Sequence, residues 1–384
     1  MKRILYVTTL SSTVNAFLVP HIKMLIENGY IVDCAFNINK PLDSSLVKLG
    51  VKQYKLQFSR NPLGVENIKA FIGLINIQKI NEYDIIHVHT PVAAIYGRLL
   101  KLKFPNLKTI YTAHGYHFLK GGAKLGWALY YPIEKIMAKV TDVIININKE
   151  DFEITKKKLK PKRCYLINGV GLDLSKYKKL SDEEIVKKKD ELGIKDSDFI
   201  ILMIAELNKN KNHMQLINAM EIVSKRYPNI KALCIGDGSI KKYLEQQINS
   251  KNLQNNIFML GYREDVNNLI NISDIGILMS YREGLPRNIM EFMACGRKVI
   301  ATNIRGCRDL VCNDNIGTLV NVDDYQATAK AIEKYYLLGD IKFNVYDEIN
   351  KYDIESVNQK LLRIYKKFDK QINEELYVSN KELV

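Results

Sequence analysis

Nowhere in this 384-residue chain does an apolar run approach the ~20 residues that a bilayer-spanning helix needs, so no segment is a candidate span. Cysteine is sparse and scattered: Cys34, Cys164, Cys234, Cys295, Cys307 and Cys312 show no close redox or zinc-knuckle spacing. Cys307 and Cys312, the nearest pair, have no His or Cys ligand set beside them, so all six read as reduced structural thiols. A signal peptide is missing too. Lys2 and Arg3 precede only a short apolar run, which the mostly polar residues 8–13 end, so a first strand is expected and a cytoplasmic location with it. Low-complexity tracts and short repeats are absent. Acids are outnumbered, 42 against 57 Lys and Arg, for a net charge of +15. No aromatic-basic RNA motif, zinc finger or recognition-helix pattern accompanies that charge, which argues against nucleic acid. Solvated helix faces account for it most simply, and attraction to anionic lipid head groups is the alternative.

With 47% hydrophobic and 26% charged residues, the composition is that of a globular protein long enough for two domains. Short β-rich runs alternate with helical patterns throughout. The first half offers strands at 4–8, 31–36, 51–56, 84–89, 109–112, 142–146 and 164–167, with helices at 14–28, 66–81, 92–103, 125–139 and 149–159 between them. A turn-rich break, Asn168-Gly-Val-Gly-Leu-Asp173, precedes a charged stretch. Strands then resume at 199–205, 230–235, 257–260, 274–279, 298–301 and 318–320. Such alternation predicts α/β architecture, two doubly wound Rossmann-like domains with parallel sheets facing a cleft. The expected domains are 1–168, 169–350 and a final helix with tail, 351–384, packing back on the first. Residues 354–368 carry its helical spacing.

The stretch that carries most chemistry is Ser280-Tyr-Arg-Glu-Gly-Leu-Pro-Arg-Asn-Ile-Met-Glu291. It joins an expected buried strand to a helix expected over 286–295, with Pro286 in its first turn. Unpaired amides and the dipole at such a helix start favour an anion. Yet Glu283 and Glu291 flank the turn, and acids repel phosphate, so they are expected to face neutral hydroxyls of the same ligand. A phosphate attached to sugars satisfies both halves of this pattern.

That Glu, seven residues, Glu pattern resembles the family-four retaining glycosyltransferases of GT-B fold. Cys234-Ile-Gly-Asp-Gly238, Phe258-Met-Leu-Gly-Tyr262 and Asn168-Gly-Val170 agree in order and spacing. Thr112-Ala-His-Gly-Tyr-His-Phe118 resembles the branch that builds bacterial capsular and exopolysaccharides. The resemblance covers nearly the whole chain. It implies a metal-independent enzyme, without cofactor, that moves a hexose or N-acetylhexosamine from a nucleoside diphosphate, UDP foremost, onto a lipid-linked surface glycan. The first domain would bind the acceptor and the second the nucleotide sugar. Glu283 would bond hydroxyls of the transferred sugar, Glu291 the ribose, and the amides around Gly284, Leu285 and Pro286 the sugar and distal phosphate. Lys211 matches the family's diphosphate-binding lysine. Glu206 stands where the family commonly has arginine, so either Lys209 substitutes or one cationic contact is missing; Glu206 is alternatively an ion-pair partner of Lys211 or Lys209. Gly236, Tyr262 and Arg263 complete the implied substrate contacts.

His114 matches a histidine near the donor sugar, with His117, His87 and His89 read as structural; His87 and His89 share one strand face without a third metal ligand. Residues 8–13 are hydroxyl-rich where the family often has a glycine-rich turn, and are expected as a loop near the acceptor or diphosphate. The stretch 116–131, holding the only tryptophan, Trp127, reads either as a core helix with its loop or as a lipid-facing element at the inner face of the plasma membrane. A sugar-nucleotide epimerase of the same shape, and a non-catalytic basic protein binding membrane or nucleic acid, are the competing functions. The paired acids at the turn argue against the second.

Overall fold

A computed structural model of the protein describes residues 1–59, 61–62, 64–122, 124–339 and 346–381. Ala123, inside the expected lipid-facing stretch, and residues 382–384 of the expected tail lie outside them. The chain forms two compact units, one of Met1–Gly171 with Ile354–Val384, the other of Leu172–Asp353. The two crossings lie side by side, Leu172 N donating to Tyr352 O at 2.9 Å. Gly171, at φ +79°, has Ile354 atoms 2.7 and 2.8 Å from where a Cβ would stand, so a larger residue has no room.

The first unit is built on a parallel sheet of seven strands: β1 (Arg3–Leu10), β2 (Ile31–Asn37), β3 (Gln53–Lys55), β4 (Ile85–Val88), β5 (Lys108–Ala113), β6 (Val143–Asn146) and β7 (Cys164–Leu166). Their order is β3-β2-β1-β4-β5-β6-β7. Strands such as β4 and β6 are buried along their whole length, as β-branched runs covered on both faces should be. The order reverses between β1 and β4, which opens a crevice at their C-terminal ends.

Two local readings change. Residues 8–13 are not a loop: Thr8 and Thr9 belong to β1 and Ser11–Thr13 form a first helical turn. Their hydroxyls are spent inside the fold, Thr9 Oγ1 on Thr90 Oγ1 (2.8 Å) and Ser11 Oγ on the Lys40 carbonyl (2.7 Å). The helix expected over 14–28 opens as a wider π-type turn, Val14–Leu18, before the regular Val19–Glu27 segment. Pro20 at the start of that segment has no N–H to donate, so a regular ladder cannot run through it. The final helix, Ile354–Lys381, runs well past residue 368 and packs on Val19–Glu27, with Asn358 Oδ1 2.7 Å from His21 Nδ1.

The second unit has six parallel strands: β8 (Phe199–Ile204), β9 (Ile230–Ile235), β10 (Ile257–Gly261), β11 (Ile275–Leu278), β12 (Lys298–Thr302) and β13 (Gly317–Val320). They run β10-β9-β8-β11-β12-β13, so this order reverses between β8 and β11. Alternate residues of β8 feed two cores. Ile201 and Met203 pack with Leu216, Met220 and Ile332; Ile200 and Leu202 pack with Leu269, Met290 and Phe292.

Candidate active site

At the reversal point of the second sheet, the turns after β8 and β11 are stitched together. The Asn210 carbonyl accepts from Tyr281 N at 2.8 Å, and Asn210 Nδ2 donates to the Arg282 carbonyl at 3.0 Å. Lys209–Lys211 form a tight turn in which Asn208 Oδ1 accepts from Lys211 N at 3.2 Å. This brings Lys211 Nζ to 2.5 Å from Glu283 Oε1, with the two side chains only 22% and 13% exposed. Ser280 Oγ donates to the same carboxylate oxygen at 2.7 Å. The sequence's two principal candidates therefore form one ion pair. Each charge is compensated before any ligand arrives, which answers the repulsion that an isolated acid beside phosphate would cause.

The turn is braced from β12. Buried Arg305 donates through Nε to the Glu283 carbonyl at 3.0 Å. A Cβ on Gly306 would lie 2.3 Å from the Gly284 oxygen, so the two backbones touch. Leu285 packs against the core, and buried Pro286 caps the helix in extended conformation (φ −74°, ψ 119°) rather than entering it. The helix proper, Arg287–Ala294, starts with no side-chain cap, and Asn288 Nδ2 ties its first turn to the Ile204 carbonyl of β8 at 2.8 Å. Glu291 lies one turn on. Burial raises its pKa, while a hydrogen bond from Tyr177 and the charge of Arg287 partly offset that.

The other expected contacts divide. Gly236 (φ +138°) would put a Cβ 2.0 Å from the Ala205 carbonyl, and Gly238 would put one 2.3 Å from that of Leu207, so these glycines let the β9 turn lie on the β8 turn. Lys209 and Glu206 are exposed beside them. Among the described residues Glu206 forms no ion pair, so the reading of it as the partner that orients Lys211 is replaced by Glu283. Tyr262 is 76% exposed. The Arg263 guanidinium is held by Asp265, at 2.8 and 2.6 Å, and lies 3.5 Å from Glu191.

In the first unit, His114 follows β5 and is half-buried. Burial, with His21 nearby, pushes its imidazole down to about 4, so it is neutral at ordinary pH. His87 bonds through Nδ1 to Tyr365 Oη (2.6 Å) and through Nε2 to Thr112 Oγ1 (2.8 Å), a structural role as expected. His117 stacks on Tyr130, ring centroids 4.6 Å apart. Among the described residues no group of three or more His, Cys, Asp or Glu side chains is placed to hold a metal.

Sequence reasoning missed Ser280, Tyr177, Arg305 and Asp323. Asp323 accepts from Tyr281 Oη (2.7 Å) and Asn212 Nδ2 (3.0 Å), fixing the turns after β8 and β11 from beyond β13. Arg305 and Gly306 carried one usable signal, a position just past a buried strand on the same sheet edge. Tyr177, in the charged stretch after the domain break, carried none.

Comparison with known proteins identifies the family and the fold. The family model for glycosyl transferases group 1 matches residues 184–352, and that for glycosyl transferase 4-like proteins matches residues 3–148. The putative glycosyltransferase EpsD of Bacillus subtilis is 31% identical over 338 residues, 87% of each chain. An Escherichia coli UDP-Gal:alpha-D-GlcNAc-diphosphoundecaprenol alpha-1,3-galactosyltransferase is 29% identical over 278 residues, 71% of each. The crystal structure of Anabaena HepE in complex with UDP and glucose matches with a TM-score of 0.77 at 19% identity, covering 96% of this chain and 100% of that one. A glycosyltransferase from Rickettsia africae matches with the same score at 23% identity, covering 95% and 98%. The likeness in structure shows the GT-B fold, and the likeness in sequence shows that the chain belongs to the group 1, family-four glycosyltransferases.

Proposed function

We propose that this glycosyltransferase moves a hexose or N-acetylhexosamine, with retention, from a nucleoside diphosphate sugar, UDP foremost, to a growing lipid-linked surface glycan. The observation that carries the reading is the Lys211–Glu283 pair at the reversal point of the second sheet, beside an uncapped helix start. Transfer breaks the bond between the anomeric carbon and the diphosphate oxygen, and the acceptor hydroxyl oxygen forms the new one. Lys211 and the turn amides neutralise the departing diphosphate, which takes the acceptor's proton on the face it leaves. Glu283, an acceptor when ionised, bonds a sugar hydroxyl, Glu291 bonds the ribose, and His114 meets a ligand oxygen. No resident metal or cofactor enters this scheme. The lipid-linked acceptor and UDP find support in the E. coli relative's name and in the HepE complex.

The test separates the two acids. Glu283→Ala should lower kcat with modest change in UDP affinity, whereas Glu291→Ala should weaken binding of free UDP, measured by calorimetry. Because burial raises the Glu291 pKa, it becomes protonated, and UDP affinity should fall, at higher pH than an exposed glutamate would give. Unchanged UDP affinity in Glu291→Ala would defeat the assignment.

The acceptor side is read as a peripheral contact with anionic membrane. Trp127 is not its lipid-facing residue: the indole is half-buried, donates to the Leu119 carbonyl at 2.9 Å and lies under Lys158. The support comes from the opposite face of the same Lys124–Lys139 helix. Leu125 (67%), Leu129 (54%), Ile133 (40%) and Ile136 (60%) are exposed there at helical spacing, with Lys124, Lys135 and Lys139 also exposed. Each lysine near an anionic surface adds about 1 kcal/mol, which salt screens. Flotation with anionic liposomes should recover the protein at low salt, and Leu129→Glu should abolish recovery. Equal binding to neutral liposomes, or none to either, makes the lysines ordinary solvated groups. No helix among the described residues is long and apolar enough to cross a membrane.

A further inference from the structure

His89 follows β4, and its ring is 2% exposed among Tyr6 (centroids 5.3 Å, stacked), His87 (4.3 Å) and His114 (5.2 Å). Its Nδ1 lies 3.0 Å from His114 Nε2. Its Nε2 is buried and has no hydrogen-bond partner among the described residues. Burial and the neighbouring imidazoles hold His89 well below the usual histidine range, so it is neutral and carries one proton. Two arrangements satisfy the bond to His114. With the proton on Nε2, His89 accepts from His114, and a buried N–H is left orphaned. With the proton on Nδ1, His89 donates to His114, and only a lone pair is left unanswered. Orphaned buried N–H groups are the rarer and costlier of the two.

We propose that His89 is a positioning residue for the transfer reaction: it donates to His114 Nε2 and so fixes the His114 tautomer that carries its proton on Nδ1, presenting an N–H donor to an oxygen of the ligand. This rests on the reading of His114 as a residue that meets the ligand. An imidazole free to exchange tautomers would offer a donor in only part of the population, and each encounter would pay for the rearrangement. The packing around His89 removes that freedom. Tyr6 and His87 hold its ring plane, and Tyr365 of the final helix holds His87 in turn.

Long-range ¹⁵N–¹H correlation spectra of the full chain, labelled at histidine and recorded at neutral pH, test the assignment directly. His114 should be protonated at Nδ1 in the wild type. His89→Phe keeps the ring packing and removes the donor, so His114 should shift toward the Nε2 tautomer and kcat should fall about tenfold or more, with donor KM changed less. His89→Asn, whose amide N–H reaches from the place of Nδ1, should restore most of both. An Nε2-protonated His114 in the wild type overturns the proposal without any variant. So does a His89→Phe protein with unchanged tautomer or unchanged kcat. The underlying reading is tested apart from it: His114→Phe with wild-type kcat sinks the ligand contact whatever the spectra show.

Discussion

Lys211→Ala is expected to lower kcat by at least ~10²-fold, the scale of losing one preorganised electrostatic contact to a transition state. The lysine is not a mobile surface charge. Its turn is pinned by Asn208, its ammonium is set by Glu283 at 2.5 Å, and that carboxylate is itself set by Ser280. Bond cleavage piles charge onto the diphosphate, and a cation already in place costs no reorganisation at that moment. Removing it does second damage, because Glu283 is then left unpaired beside an anionic ligand. Lys211→Met with Glu283→Gln should therefore bind UDP more tightly than Lys211→Met alone while remaining as slow. Steady-state kinetics and calorimetry measure the two effects. Since the scheme places the neutralising charge on a side chain, EDTA should leave the wild type unaffected. Strong inhibition by EDTA, reversed by a divalent metal, would show that the leaving group has been assigned to the wrong cation.

Much of this was legible in the residues themselves. Every strand of both sheets overlaps an expected one, and the central ones were plainest, because a parallel strand buried on both faces carries few polar residues; Ile-Ile-His-Val of β4 and Ile-Gly-Ile-Leu of β11 are examples, whereas β3 at the sheet edge is Gln-Tyr-Lys. The Glu283 turn was legible for a different reason: acids where physics favours an anion are a local contradiction that marks a site, and the pairing of Glu283 with Lys211 is how the fold accommodates one of them. What escaped were contacts set by strand order. His89 and His114 stand 25 residues apart and meet only because β4 and β5 are neighbours. Asp323 reaches Tyr281 across 42 residues for the same kind of reason. The hydroxyls of residues 8–13 misled because polar side chains at a strand end look the same whether they serve a ligand or, as Thr9 and Ser11 do, neighbouring strand ends. Trp127 misled because an aromatic in a basic stretch says nothing about which side of its helix is covered.

The buried ion pair behind that helix gives the largest expected change in stability. Arg98 is fully buried and bonds Glu134 in bidentate fashion, at 2.8 and 3.0 Å, with Nε on the Ala94 carbonyl at 2.9 Å and its guanidinium 4.3 Å from the Tyr111 ring centre. The pair joins the Pro91–Lys103 helix to Lys124–Lys139, the helix whose far side carries the exposed apolar stripe. Burying both charges costs nearly as much as their attraction returns, so the pair's net worth is small, but breaking it strands a charge. Arg98→Met, which leaves Glu134 buried and alone, should destabilise the first unit by about 3–5 kcal/mol. Adding Glu134→Leu should recover most of that loss, because two apolar side chains need no partner. Urea unfolding followed by Trp127 fluorescence reports on this unit, since Trp127 lies on the Glu134 helix and is the only tryptophan. A double variant no more stable than Arg98→Met would mean that the lost hydrogen bond to the Ala94 carbonyl and the lost contact with the Tyr111 ring, rather than the stranded carboxylate, account for the destabilisation.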